Sequence, residues 1–576
     1  MNRWLMLKRF LPLAGLAAVQ LVIIAAVPSK APPSVEAAGF DPAAGGIAVD
    51  PLDGQPLDAA GNPIEVGADG PTGGGGGGGP TGGGPTGGDG INEAPAGDTS
   101  HCVNGRQFDA SVVLHPPPCV ASFGDGDNGG ATYRGVTGDT IKVVVYRGNL
   151  GPAVDAILTA QGSNPSDEEF DAMLNAASAW INDHYQLYGR KIEAIRFNGQ
   201  CASVPPDYAC LRNEARQIVE NHQPFAFVWN SSLASPFFDE FSKRGVVNIG
   251  GWGFRDQFAQ LRRPYHYDLP MGGSQLVDLV SEWYCNRMYG NGQATAEHAG
   301  DPAFHSRPRV LGAISTDDPE NKKSIDELNI LLQRKCGASV AHTYFYAQDI
   351  TTAEQQKRAA VNRMRESPES TTVMCFCDLV APTFLYQESQ EQAYFPEHVM
   401  VGTGFMDADA SAQAYGGLPS RNDGHQYGYN FDYAFGLAQL PDEEPMASNH
   451  AARLFQATGT AGTPYPSAYR DVEYYMLLAG LLQGAGPDLT PVNLEAGAGQ
   501  MLSSAPAGLG NPKLNIRSVV PTKDYTWFDS VREIYWSKQP SEFNGEAGTW
   551  AIVGDGRWYR AGEIPTGLIK VPRPPR

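Results

Sequence analysis

The sequence predicts an α/β protein: two doubly wound, parallel-sheet lobes behind an export signal and a low-complexity spacer. Three observations carry this. Short β-branched strands alternate with amphipathic helices between residues 140 and 401. The alternation falls into two runs, each about the size of one domain. The chain has 576 residues, more than one ordinary core organises.

Residues 140–146 (TIKVVVY) are an apolar run of buried-strand length. Ser166 then opens a helix with a Ser-x-x-Glu capping box to Glu169, and Asp167 and Glu168 put negative charge in its first turn. Phe170, Met173, Leu174, Ala177 and Ile181 keep one apolar face at helical spacing. Gly189 closes the unit, and 191–197 (KIEAIRF) is the next strand. Helix 211–221, strand 224–229, helix 236–244 and strand 246–249 continue the rhythm. After a break at 262–270 come helix 274–289, strand 309–315, helix 320–335 and strand 338–345. Helix 352–365, strand 371–376, helix 381–388 and strand 398–401 complete it. Helices between short apolar strands mean right-handed crossovers and a parallel sheet.

Composition narrows the function classes. The charge balance is 42 − 63 = −21, against a broad nucleic-acid or anionic-membrane footprint. Apolar residues at 42% and aromatics at 10% supply a core, and the excess of glycine is local: 15 of the 67 lie in residues 67–90. Arg3, Lys8 and Arg9 precede the apolar run 10–27, the pattern of a secretory signal. That run is cleaved near Ala37-Ala38 or retained as an N-terminal anchor, and either outcome puts the body outside the cytoplasm. Residues 39–92 are rich in Gly, Pro, Ala and Asp, with three Pro-Thr-Gly units, and cannot offset their ordering entropy. They read as a flexible tether or an idle disordered leader.

Eight cysteines suit an oxidising compartment. Taken in sequence order they pair as Cys102 with Cys119, Cys201 with Cys210, and Cys285 with Cys336. Cys375 and Cys377 lie two apart on one strand face, either bridged or left as small buried thiols. A metal site is not expected, since no second C-x-x-C or His pair stands at ligand spacing.

The phrase 135–143 (GVTGDTIKV), the capped helix, and Tyr188-Gly189-Arg190-Lys191-Ile192 resemble the opening of type I periplasmic solute-binding proteins, the branched-chain amino-acid-binding-like receptors of ABC importers. The likeness continues through 225–232, 246–251, 310–319, 373–376 and 399–405, and covers about 135–490. It implies a type I periplasmic binding protein fold with three inter-lobe crossings, near 265–270, 402–405 and 515–522. The expected layout is signal or anchor 1–38, linker and Cys-bearing lead-in 39–134, lobe 1 at 135–264 and 404–515, lobe 2 at 265–403, and a C-terminal segment 516–576 packing on lobe 2. It implies delivery of a small-molecule ligand to an ABC permease; the alternative is a ligand-sensing receptor of the same fold that signals to a partner protein.

In open α/β sheets ligands lie beyond the C-terminal strand ends. The residues there are Tyr146; Asn230, Ser231 and Ser232; Gly251 and Trp252; Asp317, Asp318 and Asn321; Asp378; and Gly404 and Phe405. Amino-acid receptors resembling this chain carry Thr or Ser where it has Trp252, and an acid close after the glycine that here precedes Phe405. The nearest acid here is Asp407. Aromatics in place of polar partners weaken both charge clamps, because a buried unpaired charge costs several kcal/mol. The expected ligand is therefore partly apolar or aromatic.

Catalytic motifs fail their context. Residues 124–129 (GDGDNG) fit G-x-G-x-x-G but follow no strand and open no helix. The sequence has no G-x-S-x-G, H-E-x-x-H or Walker loop. His266, between Tyr265 and Tyr267, reads as hinge packing. No enzyme activity, catalytic residue or cofactor is expected.

Overall fold

The computed structural model describes residues 102–113, 116–124, 126–160, 164–229, 234–404, 406–416, 431, 433–501 and 525–572. The expected signal, most of the linker, Ser231, Ser232, Phe405 and the crossing at 515–522 lie outside the described residues.

The first sheet is all parallel, in the order β2-β1-β3-β4-β5. Its strands are β1 (Thr140–Asn149), β2 (Lys191–Ala202), β3 (Ala226–Trp229), β4 (Val247–Gly250) and β5 (His266–Tyr267). The helices between them are α1 (Pro152–Ala160), α2 (Asp167–His184), α3 (Tyr208–His222), α4 (Ser235–Lys243) and α5 (Asp256–Gln260). Alternation along β1 sends side chains to both faces. Ile141, Val143 and Val145 pack with Phe170, Met173 and Ile181 of α2, while Val144 and Tyr146 pack with Leu211 of α3 and Phe237 of α4. Each such buried aliphatic or aromatic side chain contributes about 1.5–3 kcal/mol, so covering both faces is what fixes the doubly wound form. The Ser166–Glu169 capping box forms.

The second sheet runs β12-β11-β10-β9-β8-β6-β7. It comprises β6 (Leu311–Thr316), β7 (Val340–Tyr346), β8 (Thr372–Phe376), β9 (Glu397–Val401) and β10 (Phe435–Ala438), all parallel, with β11 (Arg532–Pro540) and β12 (Ala547–Ile552) antiparallel at one edge. Its helices are α6 (Gly273–Trp283), α7 (Pro319–Cys336), α8 (Ala353–Met364), α9 (Ala381–Glu391) and α10 (Asp409–Gly416). A turn of π-helix, Tyr284–Tyr289, extends α6.

Three further helices, α11 (His450–Thr458), α12 (Ala468–Ala485) and α13 (Pro491–Met501), return to the first lobe. The Tyr188 hydroxyl there donates to the Gln483 carbonyl at 2.8 Å.

One boundary differs from expectation. Phe435–Ala438 pairs with β9 inside the second sheet, so the chain leaves lobe 2 after Ala438 rather than at 404. The second crossing is Gln439-Leu440, whose backbone N–H groups donate to Asp407 Oδ2 at 2.9 and 3.2 Å. The physical reason is register: Phe435 and Leu437 share one core face and Gly436, at φ 153°, lies against Met400 with no room for a side chain. The first crossing, Asp268-Leu269, runs beside the last, Tyr525–Phe528: Asp268 N donates to Tyr525 O at 3.1 Å and Phe528 N to Leu269 O at 2.9 Å.

All three expected disulfides form, and Cys375 and Cys377 are bridged as well. The lead-in closed by Cys102–Cys119 packs onto lobe 1, with the Phe108 ring 5.1 Å from that of Tyr185. No helix among the described residues is long and apolar enough to cross a membrane.

Candidate functional site

The C-terminal ends of β1, β3 and β4 face those of β6, β7 and β8 across a cleft divided by one side chain, Trp252. Its ring borders three spaces: an outer one, a hinge-side one, and a smaller one against α6 and α7.

Backbone geometry puts it there. Gly250 holds φ 125°, and a Cβ on it would meet the Trp229 carbonyl oxygen at 2.0 Å. Gly251 follows at φ 118°, boxed in by Phe254. Trp252 itself sits at φ 55°, a left-handed conformation that costs a bulky residue about 1–3 kcal/mol. The turn aims the indole across the cleft, where Nε1 donates to the Thr403 carbonyl at 3.0 Å.

Of the other residues singled out from sequence, Tyr146 underlies the hinge-side space with its ring 4.6 Å from that of Trp229, but its hydroxyl donates inward to Glu214. Asp318 caps α7 through the Glu320 N–H at 2.8 Å, and its other oxygen accepts from Ser235 Oγ of lobe 1 at 3.2 Å. Burial holds its carboxyl up at about 6. Asn321 lines the smallest space and donates to Thr316 Oγ1 at 2.6 Å. Asp378 borders the outer and smallest spaces, accepting from the N–H groups of Val380 and Ala381 and from Gln348 at 3.2 Å. Gly251 belongs to the turn and lines none of the three spaces. Asp407 is committed to the second crossing and is thereby kept off the cleft. His266 packs among Phe238, Phe254 and Phe258, and burial drives its pKa down to about 3, so it stays neutral.

Lobe-to-lobe polar contacts frame the cleft. Besides Trp252–Thr403 and Ser235–Asp318, Arg255 of lobe 1 pairs with Glu327 of α7 at 3.2 Å.

Two groups of lining residues went unnoticed in the sequence. Leu150, Val154 and Leu158, on and just before α1, wall the outer space opposite Ile350, Leu379 and Phe384. On the hinge side, α12 presents Arg470, Asp471, Glu473 and Tyr474. Burial pushes Asp471 up to about 7 despite the Tyr465 hydroxyl, and Glu473 up to about 6 despite His450. Asp268, on the first crossing, is likewise raised by burial to about 7, although it accepts from Gly253 N at 3.0 Å and from Leu269 N at 2.8 Å. The available signal was a run of charge, Arg470-Asp471-x-Glu473, opening a helix otherwise apolar through Leu482.

Two doubly wound sheets, three crossings between them, and a cleft at the C-terminal strand ends define the architecture. It is the type I periplasmic-binding fold. Neither a protein-family profile nor a curated protein matches the sequence. Solved structures of similar fold are remote in sequence. A possible leucine/isoleucine/valine-binding protein from Rhodopirellula baltica is 11% identical, covering 72% of this chain and 96% of that one with a TM-score of 0.48. An ABC-transporter solute-binding protein from Rhodopseudomonas palustris, in complex with p-hydroxybenzoic acid, is 11% identical, covering 73% and 98% at 0.48. A fatty-acid ABC-transporter substrate-binding protein from Thermomonospora curvata is 14% identical, covering 78% and 100% at 0.47.

Proposed function

We propose that the chain is an extracytoplasmic solute-binding protein that closes its two lobes on a small organic ligand and delivers it to an ABC-type importer. The observation that supports this best is the cleft itself: unfilled space bounded by side chains from both lobes, with Trp252 reaching from one to Thr403 of the other. A ligand that touches both walls stabilises the closed arrangement by its differential affinity, and no bond need be made or broken. Ligand contact is assigned to Trp252, Asp378, Asn321 and the ring of Tyr146, which line that space. Ser231, Ser232 and Phe405 belong to the same strand ends by sequence. The N-terminal apolar run exports the chain, and the Gly/Pro-rich segment spaces the lobes from the membrane that holds the permease.

An apolar or aromatic solute suits the walls better than a free aliphatic amino acid, because Leu150, Val154, Leu158, Ile350 and Phe384 line the outer space, and Asp407, the nearest acid after Gly404, is turned to the second crossing. Native mass spectrometry of gently purified protein tests the reading. A co-purifying small molecule, lost in Trp252→Ala, is expected. Thermal melts unshifted by a broad metabolite mixture would refute it, since a ligand at 100 times its Kd adds about 2.7 kcal/mol.

A further inference from the structure

We infer that the solute is an amphiphile, with a hydrocarbon portion in the outer compartment and a hydrogen-bond-donating head in the hinge-side compartment. The inference rests on the cleft being the binding site. The two compartments adjoin: Leu150, Leu158, Trp252 and Leu379 line both.

Their chemistry is opposite. In the outer compartment Val154 and Leu158, one helical turn apart on α1, face Ile350, Val380 and Phe384 of lobe 2. Several polar groups on its walls are bonded to one another. Gln356 bonds the Ala347 backbone, Asp349 caps Thr351, Gln348 donates to Asp378, and Lys357 is held by Glu354 at 2.9 Å. A small polar solute there would leave most of the apolar wall wet. The hinge-side compartment has the reverse character. Arg147, Asn164, Arg470, Asp471 and Glu473 line it, and Glu473 is 3% exposed with no hydrogen bond to its Oε1 among the described residues, the His450 Nε2 lying 3.8 Å from that closed-off oxygen. A buried carboxylate without a donor is unfavourable until one reaches it. A pure hydrocarbon supplies none, and a small polar solute leaves the outer compartment unused.

The test is calorimetric titration of the intact secreted chain with 1-monoacylglycerols of increasing acyl length, each below its micellar concentration. Affinity is expected to rise about fourfold per methylene, the factor corresponding to about 0.8 kcal/mol per buried CH₂. Phe384→Asn and Ile350→Asn, both at half-buried positions of the outer compartment alone, should flatten that slope while leaving the shortest member's affinity within a few fold. Glu473→Gln should weaken every member by about tenfold without changing the slope. Binding that is independent of chain length overturns the inference and leaves the cleft reading intact. So does failure of every member to bind when native mass spectrometry finds a different co-purified solute. If nothing binds and nothing co-purifies, both fall.

Discussion

Replacing Trp252 by phenylalanine isolates one contact between the lobes. The ring stays on the same φ 55° backbone, but the Nε1–H that meets Thr403 O at 3.0 Å is gone. A neutral hydrogen bond of this kind is worth about 0.5–1.5 kcal/mol net. Because it exists only when the lobes meet, its loss lowers the closing equilibrium by about twofold to tenfold. Where the open form dominates, the apparent ligand affinity falls by the same factor, since only the closed fraction is competent. Small-angle scattering at one fixed, subsaturating ligand concentration reads the first effect as a larger radius of gyration in the variant, and titration calorimetry reads the second. Scattering curves and affinities identical to those of the parent protein would refute a bridging role for Trp252.

Three further outcomes are expected. Asp268 and Asp471 at about 7, and Asp318 and Glu473 at about 6, all bind protons more tightly folded than unfolded, where carboxyls titrate near 4. Their contribution is therefore complete below about pH 4 and is lost as pH rises through 6 to 7, so the melting temperature should drop between pH 5 and pH 8 and drop less in Asp268→Asn. A melting temperature that climbs over that interval contradicts the burial of these acids. Gly250→Ala drives a Cβ onto the Trp229 carbonyl at 2.0 Å and should cost about 3 kcal/mol in urea unfolding, against about 1 kcal/mol for Gly337→Ala, which has open space around it. Paired Cys285→Ser and Cys336→Ser replacement opens a loop of 51 residues and should lower stability by about 4 kcal/mol, with the reductant sensitivity of the urea midpoint reduced in step.

The sequence by itself determined the lobes. Wherever an apolar run had a definite period, as in Thr140–Asn149 or the capped helix Asp167–His184, the element stands within a few residues of where pattern placed it. Period and caps are local, and each strand's two faces need only covering. Sequential pairing also sufficed for three disulfides, whose partners close short loops or join neighbouring elements. It could not decide Cys375 and Cys377, because two cysteines on one strand face suit a bridge and a pair of thiols equally.

Tertiary structure decided everything that depends on what a residue faces across the chain. Phe435–Ala438 is only four residues long, and nothing local says that it continues the second sheet rather than returning to the first; its pairing with β9 does. Tyr146, Asp318 and Asp407 are polar groups at strand ends and crossings, where a ligand and an internal partner look alike in sequence. Glu214, Ser235 and the crossing backbone claim them, and those partners lie 68, 83 and about 32 positions away. Conversely, the apolar wall of α1 and the charged opening of α12 are ordinary helical faces until folding sets them on opposite sides of Trp252.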